Sequence, residues 1–442
     1  MADQADHPIP AASSSTDTAP FFWNDETASK FPPAFVAFLK ANDIHPDNYA
    51  FHDVPRYVRV NPRHADVLPQ REIERQLGVA IEPVSWLPGY YCVPSNVKIA
   101  GCAAYQTGQL YGIDVSSGAA VAALDAKPGD DVLDLCCAPG AKLCAIADCM
   151  QQSGTLTGVD VNKERLAACR TLCTKYKIEI ARLVLQDGST FQAAPPRRRE
   201  EAVAAPSSSV DGESGGRETL PDEEATDDGP LPAGEGLNLQ SADGGSRDKG
   251  KRGRGQAFSK NDKRQRREPH ETDRDSGPFF LGSALMSHDE TISTCEAMAA
   301  SFPGYAGYDK VIVDAECTHD GSIKHLAKFA QWGWDSFERR FLEPARLETL
   351  SALQLSLLRA GFRALKPGGT LVYSTCSFAR AQNEGVVEQL LGEESAASLV
   401  PVEGLMSAPC REGGLPHTLR FEPRISRTSG LFIARLAKKL HT

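Results

Sequence analysis

Asp131-Val132-Leu133-Asp134-Leu135-Cys136-Cys137-Ala138-Pro139-Gly140-Ala141-Lys142 decides the fold. Its first five residues read as a short apolar strand. A Pro-Gly loop follows, and a helical pattern then runs to about Met150. Downstream, Thr155–Asp160 reads as a second strand, with Asn162 placed to cap a helix reaching Tyr176. Ala181–Asp187 reads as a third. The rhythm resumes at Lys310–Asp314 and again at Thr370–Cys376. Between them an apolar-periodic helix over 347–365 is stopped by Lys366-Pro367-Gly368-Gly369. Strands alternating with helices predict an α/β fold built on a parallel sheet.

The flanks are different. Phe35–Leu39 reads as a short helix, and residues 1–20, rich in Ala, Ser, Pro and Asp, as a disordered tail. Tyr57–Asn61 reads as a strand and Gln70–Leu77 as a polar helix, together a small α+β unit ending near Asp114. His417–Phe421 and Gly430–Leu436 read as a closing antiparallel pair. Gln192–Pro278 contains no Ile, Trp, Tyr or Met and a single aromatic residue, Phe258. Such a segment cannot bury enough apolar surface to offset its chain entropy, so it reads as a disordered insertion. The expected division is therefore 1–55 (tail and short helix), 56–115 (α+β subdomain), 116–191 and 279–442 (the two parts of the α/β domain), and 192–278 (insertion).

Taken over the whole chain, the formal charge of −10 on 442 residues argues against a polyanionic partner. Residues 200–236, with eleven acids against Arg217, carry all of it. Residues 247–267 then carry ten basic residues against Asp248 and Asp262. The remainder is balanced, and nucleic acid is not excluded. The two clusters within 249–254 and 263–267 suit a nuclear signal or contact with RNA phosphates. No apolar run reaches the ~18 residues of a membrane span. Twelve cysteines without a secretory pattern at Met1-Ala2-Asp3-Gln4 point to a reducing compartment, nuclear or cytoplasmic. No C-x-x-C pair occurs, so no metal site is expected.

In open α/β sheets ligands bind beyond the carboxyl ends of the strands. The loop Cys136–Lys142 opens a helix whose backbone amides can hold an anionic or zwitterionic group. Asp160 ends the second strand at the spacing where an acid grips ribose hydroxyls, and Asp187 ends the third, where it meets a base. The loop has neither the dinucleotide G-x-G-x-x-G nor the phosphate-binding G-x-x-x-x-G-K pattern. An adenosyl nucleoside without phosphates, S-adenosylmethionine, suits it better.

Two cysteines follow strand ends: Cys317 after Asp314-Ala315-Glu316, and Cys376 after Ser374-Thr375. If those strands are neighbours, both thiols stand beside the cofactor. Carbon 5 of cytosine is a poor nucleophile until a thiolate adds to carbon 6 and makes the ring an enamine. The chemistry then needs an activated Cys, a group assisting at the ring nitrogen, and a base for the carbon 5 proton. The N/D-P-P-Y/F loop of amine methylation is missing.

With these residues in view, the chain resembles the Sun-domain (NSUN and RsmB) family of RNA cytosine-carbon-5 methyltransferases. Val132–Lys142 resembles its V-L-D-L-C-A-A-P-G-G-K loop. Tyr373-Ser374-Thr375-Cys376-Ser377 with Gln382-Asn383-Glu384 is similar to its Y-S-T-C-S…N-E motif. Arg59-Val60-Asn61-Pro62 resembles an R-x-N-P/T element of an RNA-contacting N-terminal subdomain, Gly112–Ser117 the Q-D/E-x-S-S entry to the catalytic domain, and Arg427–Leu436 the closing strand. The resemblance implies a Rossmann-like S-adenosylmethionine-dependent methyltransferase sheet with a small N-terminal subdomain. It implies Cys376 as nucleophile, Cys317 as the residue aiding release, and Asp314 and Lys142 at the target base or active cysteine. Cys136, Ala138, Pro139, Gly140, Lys142, Asp160, Asp187 and Asp314 would form the cofactor site. The implied partner is RNA, with transfer RNA ahead of ribosomal RNA, bound by a monomer without a membrane. The D-A-P-C-S-G loop of the family reads here Asp314-Ala315-Glu316-Cys317-Thr318-His319. Glu316 is expected to raise the pKa of the adjacent thiol, with His319 as an alternative proton acceptor. The competing readings are a catalytically impaired RNA-binding scaffold of the same fold and, more remotely, a DNA cytosine methyltransferase.

Overall fold

The computed structural model describes residues 23–50, 54–198, 280–285, 307–323, 326, 334–338 and 342–440. Most of the expected insertion, the first part of the tail and the two basic clusters lie outside these residues. Among the described residues no helix is long and apolar enough to cross a membrane.

Near the N-terminus, helix α1 (Pro33–Ala41) starts with Pro at its first position, where the missing N–H costs nothing. Strands β1 (Arg56–Val60), β2 (Glu82–Pro83), β3 (Tyr90–Val93) and β4 (Leu110–Gly112) form an antiparallel sheet in the order β2-β3-β1-β4. Helix α2 (Gln70–Leu77) connects β1 to β2 and ends on Gly78 in the left-handed conformation, the usual role of Gly after a helix.

Helix α3 (Val115–Leu124) leads into the second sheet. Its V-S-S-G-A-A-V-A-A-L sequence has no polar face, and eight of its ten residues are buried. The lack of periodicity is why the sequence gives it no clear signature. The sheet comprises β5 (Asp131–Asp134), β6 (Thr155–Asp160), β7 (Ala181–Leu185), β8 (Phe280–Leu281), β9 (Tyr308–Asp314), β10 (Leu365–Thr375), β11 (Ala397–Leu399), β12 (Arg411–Glu412), β13 (Leu419–Phe421) and β14 (Leu431–Lys438). The order is β12-β13-β14-β10-β9-β5-β6-β7-β8, with β11 also on β14. Strands β10, β9, β5, β6 and β7 are parallel. Chain order reverses between β5 and β9, which places a ligand crevice at their carboxyl ends.

The expected α/β parallel sheet is present, and the expected closing antiparallel pair is β13–β14. Alternation along the strands divides the core. Val132, Ile312 and Val372 face one layer with α3 and α4 (Ala141–Cys149), while Leu133, Val311, Val313, Leu371 and Tyr373 face the other. Each fully buried Leu, Ile or Val contributes ~1.5–3 kcal/mol. Helix α5 (Lys163–Lys175) begins at Asn162, whose side chain accepts the Arg165 amide at 2.9 Å, as the sequence predicts. Helix α6 (Pro344–Ala364) covers the second layer, and α7 (Glu384–Glu393) follows β10.

Two details differ from expectation. Strand β10 begins at Leu365 instead of the expected Thr370, so the Lys366–Gly369 stretch that stops the helix is already part of it, and its register slips between Leu365 and Thr370. Pro and paired Gly permit such an irregularity near a strand start. The first residues of the expected insertion are also packed on the body. Pro196 is buried, Arg182 and Tyr308 donate to the carbonyls of Ala194 and Ala193, and Arg198 forms a β-bridge with Leu285.

Candidate active site

The first wall is the Asp134–Lys142 loop. Gly140 adopts φ +106°, and an added Cβ there would lie 2.7 Å from Cys169 Sγ and 3.1 Å from its Cα. Gly140 is therefore needed both for the turn and for the close approach of α5. The Arg165 guanidinium donates to the Ala138 carbonyl at 2.6 Å, and the Ala138 amide donates to Asp160 at 3.3 Å, so β6 and α5 hold the loop.

Asp160 is buried at the end of β6. Its carboxylate accepts one backbone amide on each oxygen, from Ala138 and from Asn162 at 2.8 Å. A carboxylate has about four acceptor positions, so two remain for a diol. Asp187 is exposed and accepts the amide and hydroxyl of Ser189. Both line a cleft of about 860 Å³ with Cys136, Ala138, Lys142, Asp314, His319 and Cys376. The donor set fits a ribose and a base with a zwitterionic tail beside it. Pro139 and Gly140, expected to touch the cofactor, shape the turn without lining this cleft.

The catalytic wall comes from β9 and β10. Asp314 accepts Ser374 Oγ at 2.7 Å and Lys142 Nζ at 2.8 Å, and the same Nζ reaches Ser117 Oγ at 3.2 Å. Burial alone would lower the Lys142 pKa, but Asp314, Cys376 and Asp134 outweigh it and raise it. The ammonium stays charged. Asp134, which sequence reading passed over as a site residue, is fully enclosed at the end of β5. Burial, then the nearby Asp314 charge, push its carboxyl up to about 7.

The two expected cysteines meet. Cys317 Sγ lies 3.3 Å from Cys376 Sγ, and His319 Nδ1 lies 3.0 Å from Cys376 and 3.8 Å from Cys317. Cys376 opens to the cleft, whereas Cys317 is buried behind it. Burial first, then the neighbouring sulphur, drive the Cys317 thiol well above its usual pKa, against a lowering contribution from His319. Glu316 is not among those causes. Its side chain is about half exposed and lies 3.4 Å from Arg346 Nη2, so the expected effect on the thiol is replaced by burial.

A polar clamp fixes both cysteine loops. The Thr318 amide donates to Gln382 Oε1 at 3.0 Å, and the Gln382 amide returns a bond to Thr318 Oγ1 at 3.0 Å. Asp320 accepts Thr318 Oγ1 and, at 2.8 Å, the Phe378 amide. Asn383 accepts Thr375 Oγ1 at 2.6 Å and donates to the Ser377 carbonyl at 2.8 Å. The Gln-Asn pair after the cysteine motif thus shapes the loop. Asp114 caps α3 through the Ser116 amide at 2.9 Å and accepts the Ser429 amide at 3.3 Å, which ties the closing strand to the cleft.

Arg59 and Asn61 of the R-x-N-P element are turned inward and tie the N-terminal sheet to its surroundings. Arg59 is buried, 2.7 Å from Asp148 of α4, and Asn61 donates to the Gly108 carbonyl at 3.0 Å.

A family model described as 16S rRNA methyltransferase RsmB/F matches residues 121–202 and 285–437, more than half of the chain. Ribosomal RNA small subunit methyltransferase F of Aeromonas hydrophila is 33% identical over 136 residues, 30% of this chain and 26% of that protein. Its counterpart in Klebsiella pneumoniae is 33% identical over 132 residues with the same coverage, so the match spans about a quarter of each relative. Among solved structures, a methyltransferase homolog protein from Pyrococcus horikoshii has a TM-score of 0.56 at 19% identity, covering 94% of this chain and 98% of that one. NSun6 from Pyrococcus horikoshii, solved with SFG, has a TM-score of 0.53 at 14% identity, covering 94% and 97%. These two likenesses are of fold, and that fold is the Rossmann-like sheet described above. On the strength of the family match, this chain belongs to the RsmB/F family of S-adenosylmethionine-dependent RNA methyltransferases.

Proposed function

We propose that this protein methylates carbon 5 of cytosine in RNA through a transient bond between Cys376 and carbon 6. The observation that carries this reading is the pair of thiols 3.3 Å apart at the exits of adjacent strands, on a cleft with a buried acid at Asp160. When bound, S-adenosylmethionine supplies an electrophilic methyl group. Asp160 would hold its ribose hydroxyls, Asp187 its base, and the Cys136–Lys142 loop its polar tail. Cys376 attacks from the open side. The Lys142–Asp314 pair sits where it can donate to, or accept from, the ring nitrogen and exocyclic groups of the base. Cys317 stands behind the nucleophile to aid its release.

Transfer RNA is the substrate we place first, with ribosomal RNA second because the named relatives act on the small subunit. The test is incubation of the full chain with methyl-labelled S-adenosylmethionine and, in separate arms, transfer RNA and small-subunit ribosomal RNA, followed by nucleoside analysis. Label in 5-methylcytidine supports the proposal, and no label in that nucleoside from either RNA refutes it. A binding-only scaffold would have no use for two thiols held in contact. We place the protein in the nucleus or cytoplasm, as a monomer, which a tagged chain and a sizing column would check.

A further inference from the structure

The residue two places after Cys317 is unusual for this loop. In the D-A-P-C-S-G pattern that the sequence resembles, that place holds Gly. Here it holds His319, at φ +54°. The left-handed conformation suits Gly and costs an ordinary residue ~1–2 kcal/mol. The backbone around it is fixed: the Ser322 amide donates to the His319 carbonyl at 3.0 Å, and the Gly321 amide to the Cys376 carbonyl at 2.9 Å. The Gly430 amide in turn donates to the Gly321 carbonyl at 2.8 Å. A Gly-like conformation is thus kept while the position carries an imidazole that touches the nucleophile. Strain held in place by surrounding structure is a mark of functional residues.

We propose that His319 is a catalytic base of this chain, taking the Cys376 thiol proton and holding the resulting thiolate as an ion pair. The Cys376 S–H bond breaks and an N–H bond forms at His319 Nδ1, leaving a thiolate and an imidazolium with no change in total charge. The 3.0 Å contact is the geometry this transfer needs. Among the described residues, the groups facing the imidazole include Cys376, Cys317, Glu316 and Asp320, with the Lys142–Asp314 pair sharing the cleft. The hydrogen bond to Cys317 raises the His319 pKa, burial opposes it, and Glu316 and Asp320 add to the rise. Each anion favours the imidazolium. Glu316, a departure from the family pattern, therefore acts on the base and not on the thiol.

The use of this thiolate rests on the cytosine-adduct reading, but its formation can be measured without RNA or cofactor. The full chain is treated with iodoacetamide from pH 5 to 9, and alkylation of Cys376 is followed by peptide mass spectrometry. A free thiol titrates near ~8.5, and a His-paired one well below that. We expect the wild-type reaction to persist at pH 6.5. His319→Asn, which tolerates the left-handed backbone, should shift the midpoint upward and lower the pH 6.5 rate about tenfold or more. His319→Gly, which suits the backbone best, must show the same shift. Superimposable profiles for all three proteins would overturn the inference. Loss of the low-pH reaction in both variants while no RNA is methylated would sustain it and sink only the proposed function.

Discussion

Replacing Arg59 separates two roles for the R-x-N-P element. Its guanidinium lies 2.7 Å from Asp148, with the two side chains 10% and 0% exposed, and 5.2 Å from the Tyr111 ring centroid. Arg59→Met keeps most of the packing volume and removes the charge. The Asp148 carboxylate is then left buried with Arg63, 3.4 Å away, as its remaining cation. Breaking a buried pair costs ~3–5 kcal/mol, and the Arg63 fallback reduces this to about 2–4 kcal/mol. For a folded body of roughly 300–350 residues, an unfolding entropy of ~2.1 cal/mol/K per residue converts this to a fall of about 3–6 °C in Tm. The assay is scanning calorimetry of the full chain beside RNA binding measured well below the transition. Arg59→Met/Asp148→Leu should recover most of the loss, because no charge is left stranded. An unchanged Tm with weaker RNA binding and a shallower salt dependence would refute the structural role and make Arg59 a phosphate contact.

Cys317→Ala should trap RNA on Cys376: a denaturation-resistant protein–RNA adduct should increase severalfold, with turnover down at least tenfold. Normal turnover without an adduct would assign release to another group. Asp134→Asn should change how stability depends on pH. Burial lifts the folded Asp134 carboxyl to about 7 from the 3.8 of an ordinary Asp, so its contribution is fully present at low pH and is lost as pH rises through 7. Wild type should therefore lose roughly 3 kcal/mol relative to the variant between pH 4.5 and 8.5, on the linkage of pKa to stability. Urea unfolding at the two pH values measures this, and a difference independent of pH would overturn the buried-charge argument.

Local signals made much of the fold legible. Asn162 marked a helix start, Lys366-Pro367-Gly368-Gly369 an end, and short apolar runs located β5, β6, β7, β9 and β10 within a few residues. The motif cysteines could be paired because both follow strands that the topology makes neighbours. What local pattern could not show was contact across the sheet. His319 and Cys376 are 57 positions apart, and Lys142 and Asp314 are 172 apart. Nothing near Arg59 in the chain announces its partner Asp148, 89 residues away. Asp134 looked like an ordinary strand residue because its perturbation comes mainly from enclosure and from Asp314 on the adjacent strand. One local signal reached the site directly: a His where the likeness predicts Gly, readable as a proton acceptor before its contact with Cys376 was visible.

The bridge between Arg198 and Leu285 joins two points that lie 87 positions apart in the sequence. Closure entropy grows only with the logarithm of loop length, so doubling a flexible sequence between two joined points costs ~0.6 kcal/mol. Its length is therefore almost invisible to the stability of the sheet. The junction is therefore expected to act as a socket, at which a change in the length of the intervening sequence costs the sheet little.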